Sequence, residues 1–81
     1  MGQKVQIRER IEGWNIECSE STERPEGVDT VLSYGDFNAT LAAAEYTGVA
    51  ENKDYTEEIP IPETVMDRAG ELEEQAEEAI K

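Results

Sequence analysis

Two parallel stripes over residues 63–80 constrain this chain more than any other feature. Val65, Ala69, Leu72, Ala76 and Ile80 recur at steps of four, three, four and four, the period of an α-helix with one apolar side. Glu63, Asp67, Glu71, Glu74 and Glu78 recur at steps of four, four, three and four, beginning two residues before the apolar set, which is roughly 200° around the axis at about 100° per residue. The spacing therefore predicts a helix over 63–80 with an apolar seam on one side and a carboxylate stripe on the other. Met66 widens the seam at its start, and Ile61 is placed to staple it to the body. Gly70 interrupts the helix at a cost of up to about 1 kcal/mol, and nothing in the sequence explains it.

A surface for that seam is written at the other end of the chain. Val5, Ile7 and Ile11 alternate with Gln6, Arg8 and Arg10, and after Glu12-Gly13 the alternation resumes with Trp14, Ile16 and Cys18. Taking Glu12-Gly13 as a two-residue loop sets Ile11 opposite Trp14, Glu9 opposite Ile16 and Ile7 opposite Cys18, so both apolar sets share a side. A loop one residue longer or shorter would separate them. This predicts a β-hairpin over 3–20, with Cys18 as a small core residue, since no basic neighbour in sequence lowers its pKa.

The stretch between is less decisive. Residues 19–29 read as a loop, and Val28, Val31, Leu32 and Tyr34 as a third strand over 28–34. Asp36 is a good N-cap, Phe37, Leu41 and Ala44 keep helical spacing, and Gly48 sits where a helix ends, which together predict a helix over 37–47. A strand is the rival reading there, because Thr40, Tyr46, Thr47 and Val49 also suit a sheet. Residues 51–54 form a turn, and the prolines of Ile59-Pro60-Ile61-Pro62 confine 55–61 to an edge strand or a strap. The expected fold is a single α+β domain over 1–81. A small antiparallel sheet, the hairpin plus a third strand, is covered by the 63–80 helix, with a short middle helix beside it.

Charge sets the conditions for that fold. Of 81 residues, twenty are Asp or Glu and seven Lys or Arg, a net charge of −13. Residues 1–34 carry seven acids and four bases, and residues 35–81 thirteen acids and three bases, so the field is concentrated in the second part. Between Glu63 and Glu78 six like-charge pairs fall at i,i+4 or i,i+3, costing on the order of 2 kcal/mol in dilute buffer. At ~6 Å each repulsion is about 0.7 kcal/mol in water and drops to about 0.1 once the Debye length is ~3 Å at 1 M salt. Such a helix is expected to form fully in molar salt.

The excess of Asp and Glu over loops and helix exteriors, the three lysines Lys4, Lys53 and Lys81, and the low apolar content resemble the cytoplasmic proteins of salt-in halophilic archaea. The resemblance identifies an environment and not a family. It implies a cytoplasm of molar potassium in which the negative charge maintains hydration. A cytoplasmic location is also the expectation from the lone thiol and from the residues after Met1, which do not read as a basic, then apolar, leader.

Several chemistries find no support. With no His and one Cys, metal-ligand clusters and nucleophile–base pairs have few residues to draw on, and no Gly-rich phosphate loop or Ser-centred elbow is present. Glu51, Asn52, Asp54, Glu57 and Glu58 make an oxygen-rich loop without the spacing of a calcium-binding loop, and read as a solvated turn. Phosphate-bearing partners and anionic membranes would meet a repulsive field, so direct nucleic-acid binding and membrane binding are not expected.

The expected function is accordingly a small, non-catalytic interaction or accessory protein without a cofactor. Its partner is another protein, or a second copy covering apolar surface that one helix on three strands leaves open. The alternative is an acidic inhibitor or antidote that imitates nucleic acid at a partner's basic site, using the stripe Glu63, Asp67, Glu71, Glu74 and Glu78. Trp14 is a candidate anchor for a partner, although its phase with Ile11 and Ile16 assigns it to the core.

Overall fold

In a computed structural model the protein is described over residues 5–23 and 27–80. The expected first residues of the hairpin, 3 and 4, lie outside that range. The hairpin forms in the register that its alternation requires: β1 (Gln6–Ile11) pairs antiparallel with β2 (Trp14–Glu20), with Ile11 opposite Trp14, Glu9 opposite Ile16 and Ile7 opposite Cys18. Glu12 and Gly13 turn the chain with φ of 53° and 85°, the two positive values of a turn whose twist matches its strands.

The third strand, β3 (Val28–Tyr34), pairs with β2, placing Leu32 opposite Ile16 and Thr30 opposite Cys18. Beyond it the structure departs from the expected helix over 37–47. Gly35 and Asp36 form a second tight turn and Phe37–Thr40 returns as β4, with Leu32 opposite Ala39 and Tyr34 opposite Phe37. Only then does α1 (Leu41–Thr47) begin, capped by Thr40, whose Oγ1 accepts from the Ala43 amide at 3.3 Å, and not by Asp36. Gly48 ends it in the left-handed conformation, its N–H bonding to the Ala44 carbonyl at 2.6 Å. The segment is thus strand first and helix after.

Two short strands complete the sheet. β5 (Val49–Glu51) pairs with β4 through Glu51 and Asn38, and β6 (Glu58–Pro60) pairs with β5. Of the edge strand or strap expected over 55–61, the structure forms the edge strand, over three residues. The result is a six-stranded antiparallel sheet in which spatial order follows chain order, β1 to β6.

The last helix, α2 (Glu63–Ala79), follows Pro62, whose carbonyl accepts from the Val65 and Met66 amides. It packs on β1, β2 and β3, while α1 packs on β3, β4 and α2. Val65, Ala69, Leu72 and Ala76 are buried as its seam predicts, and they meet Trp14, Ile16, Cys18, Val28 and Leu32 from the strands. Ile61 joins the same core, and its amide bonds to the Gly48 carbonyl at 2.9 Å. Both helices lie on one face of the sheet. Among the described residues no helix is long and apolar enough to cross a membrane.

Candidate functional site

Because strand residues alternate between faces, covering one face of a sheet leaves a second set of side chains outside. Along β1 these are Gln6, Arg8 and Arg10; along β2, Asn15 and Glu17; along β3, Asp29, Val31 and Ser33. Register then builds a row across all six strands: Arg10 opposite Asn15, Asn15 opposite Ser33, Ser33 opposite Asn38, Asn38 opposite Glu51 and Glu51 opposite Glu58. Five strand spacings make that row about 24 Å long. It begins in a cation, passes through three neutral hydrogen-bonding side chains and ends in two carboxylates.

At its cationic end the open face is hollowed. A depression of about 480 Å³ is lined by Arg8, Arg10, Asn15, Glu17 and Ser33, together with Glu9 and Ile16. Arg8 Nε lies 3.2 Å from Glu17 Oε2, both side chains mostly exposed, so water and salt screen the pair and its contribution is small. Arg10 is in no ion pair among the described residues. The place is notable in so acidic a chain: two of its seven bases stand side by side on one strand.

The expected site residues are distributed differently. Trp14 is buried at 3% exposure and its ring lies 5.2 Å from that of Tyr34, tilted by 44°, so it is a core residue and offers no anchor to a partner. Glu63, Asp67, Glu71, Glu74 and Glu78 are all exposed on α2, on the side of the molecule away from the open face. Glu71 accepts from Arg68 Nη1 at 3.0 Å, which partly offsets the stripe at its middle.

Cys18 is fully buried. The hydroxyl of Thr30 lies 3.4 Å from its sulfur and donates to Glu73 Oε2 at 2.8 Å. A hydroxyl has one proton to give, so the sulfur and the carboxylate share Thr30 as donor, the carboxylate at the shorter distance. Burial pushes the thiol pKa up, the hydrogen bond from Thr30 opposes this, and the charge of Glu73 adds to it. This thiol is not poised as a nucleophile.

The oxygen-rich loop is organised from within. Asn52 Oδ1 accepts from the amides of Thr56 and Glu57, at 2.9 and 3.0 Å, and its Nδ2 donates to Thr56 Oγ1. Asp54, Glu57 and Glu58 stand exposed around it. Among the described residues no group of three or more acidic or thiol side chains is arranged to hold a metal ion.

Nothing in the one-dimensional pattern marks the open-face row, since it takes one residue from each strand. Its visible trace is Arg8 and Arg10, both out of phase with Ile7 and Ile11. Comparison of the chain with protein-family models, with curated proteins and with solved structures finds no match.

Proposed function

We propose that this chain is a non-catalytic protein-interaction module of a salt-rich cytoplasm, and that it meets its partner with the open face of the sheet. The observation that carries the reading is one-sidedness. Both helices pack on the same face, and the other presents alternate side chains of all six strands, with the hollow at Arg8 and Arg10, to whatever lies outside. A polar face of this kind suits an association that forms and dissolves. The acidity of the remaining surface belongs to the solvent: it keeps the chain hydrated where salt is molar.

The competing reading, imitation of nucleic acid, is supported by the exposure of all five stripe carboxylates on α2. The two place the partner on opposite sides of the molecule. Capture from a salt-adapted extract in molar KCl and again at low salt, using wild type, Ser33→Arg and Glu74→Lys, separates them. Ser33→Arg sets a long side chain in the middle of the open face and is expected to lose the partner, with Glu74→Lys retaining it. Loss with Glu74→Lys alone, together with capture that disappears in molar salt, would transfer the site to α2.

A further inference from the structure

The sheet has two edges, built in unlike ways. β6 is three residues long and contains Pro60, which has no N–H to offer, and Pro62 follows two residues later. β1 is six residues long, is paired with β2 without a break in register, and contains no proline. Its outer backbone groups form a template for one more strand.

Side chains define what such a strand would need. On the open side β1 presents Arg8 and Arg10; on the covered side it presents Ile7 and Ile11, both packed against the core yet only partly buried. Between the two isoleucines Glu9 is already matched by Arg68, with bonds of 2.6 and 2.8 Å, so its charge does not oppose an incoming chain. We propose that β1 takes up an extended segment of an acidic partner protein as a seventh strand. Carboxylates at alternate positions of that segment pair with Arg8 and Arg10, and the apolar residues between them continue the covered face beside Ile7 and Ile11. The inference rests on the open face being the binding surface and adds the partner's chemistry and mode of attachment.

Charge rules against two other occupants. Antiparallel pairing of β1 with a second copy in the two registers that pair most of the strand, centred on Arg8 or Glu9, sets Arg8 against Arg8 or Arg8 against Arg10, and like charges directly opposite are destabilising. A nucleic-acid backbone would bring a continuous line of phosphates into the field of a chain of net charge −13. A strand with two or three carboxylates meets that field only over a short contact, and in molar salt the repulsion beyond ~3 Å is screened.

The test uses the full chain in molar KCl and three synthetic probes: a short peptide alternating valine and aspartate, its valine–lysine counterpart, and the aspartate peptide N-methylated at every residue. Binding is followed by NMR shifts and by hydrogen exchange of the β1 amides. The aspartate peptide is expected to bind and to slow exchange along β1, and the lysine and N-methylated peptides to do neither. The double variant Arg8→Ala/Arg10→Ala, altered only at exposed positions, is expected to weaken binding by about threefold or more. Equal binding of the aspartate and lysine peptides, or an aspartate peptide that leaves β1 exchange unchanged, would overturn strand addition. If β1 is unchanged while Ser33→Arg still loses the captured partner, the open face stands as the binding surface and only the seventh strand is wrong.

Discussion

Arg68 grips Glu9 with two arms of its guanidinium: Nε lies 2.6 Å from Oε2 and Nη2 2.8 Å from Oε1, joining α2 to β1 across 59 residues of sequence. This bidentate geometry is the strong form of an ion pair. It also explains how an acid sits on the covered side of β1, opposite Ile16. The hydrogen bonds from Arg68 hold the Glu9 carboxyl below its ordinary value of 4.5, against a smaller opposing effect of burial, and the same bonds keep Arg68 more firmly protonated.

That depression makes stability depend on pH in a definite direction. A carboxylate with a lowered folded-state pKa contributes fully above its unfolded value and loses the contribution as pH falls through the folded one. Thermal unfolding followed by circular dichroism in molar KCl is expected to show wild type losing stability as pH drops below about 4.5. Arg68→Met should start lower at neutral pH and decline less steeply. Parallel curves for the two proteins would contradict the pairing.

Salt dependence is addressed by Glu74, which belongs to three of the like-charge pairs on α2, with Glu71, Glu77 and Glu78. At a few tenths of a kcal/mol for each pair, Glu74→Gln should stabilise the fold by about 1 kcal/mol in dilute buffer. In molar KCl the gain should shrink to near zero. Urea unfolding at the two salt concentrations measures both, and an equal gain in each would remove repulsion as the source of salt dependence.

Two glycines should respond to alanine with opposite signs. A Cβ on Gly70 meets nothing within 4 Å, so Gly70→Ala should stabilise α2 by about 0.5–1 kcal/mol. At Gly13, φ is +85° and a Cβ would lie 2.9 Å from Tyr34 Cε2. Gly13→Ala should cost about 1–2 kcal/mol from the left-handed conformation, with a further loss from displacing the Tyr34 ring. A change in Trp14 fluorescence should accompany it, since the two rings are in contact.

Thr30→Val keeps the shape of the residue between Cys18 and Glu73 and removes its hydroxyl. The expected cost is about 1 kcal/mol, read from chemical denaturation in molar KCl. Because Cys18 is fully buried, a thiol reagent should reach it only when the chain opens. Its labelling rate should therefore increase as KCl is withdrawn and increase again in Thr30→Val; fast labelling of the native protein in molar KCl would contradict the burial.

What could be read before folding depended on how local each signal is. The hairpin register was legible because a two-residue loop and two alternating runs admit one alignment that places Ile11, Trp14, Ile16 and Cys18 together. The α2 seam was legible because five apolar residues hold one period over four turns. Phe37–Thr40 was not: four residues are too few to separate a strand from the first turn of a helix, and the pairing with β3 that decides it depends on the Gly35-Asp36 turn. Asp36 consequently looked like a cap that Thr40 provides. The row from Arg10 to Glu58 was out of reach for a different reason, since each of its links joins residues of different strands and exists only once every register is set.

Spatial order following chain order has a consequence for how the molecule is made. Each strand pairs with the one just synthesised, so the sheet can grow behind the ribosome by short-range steps, the kind that fold quickly. Its cover arrives last: α2 follows every strand, and until it docks, Trp14, Ile16, Val28 and Leu32 lack the seam that shields them. The vulnerable interval in the life of this protein is the one between completion of the sheet and arrival of the final helix. A nascent chain stalled in that interval exposes an apolar face and is the species most prone to aggregate.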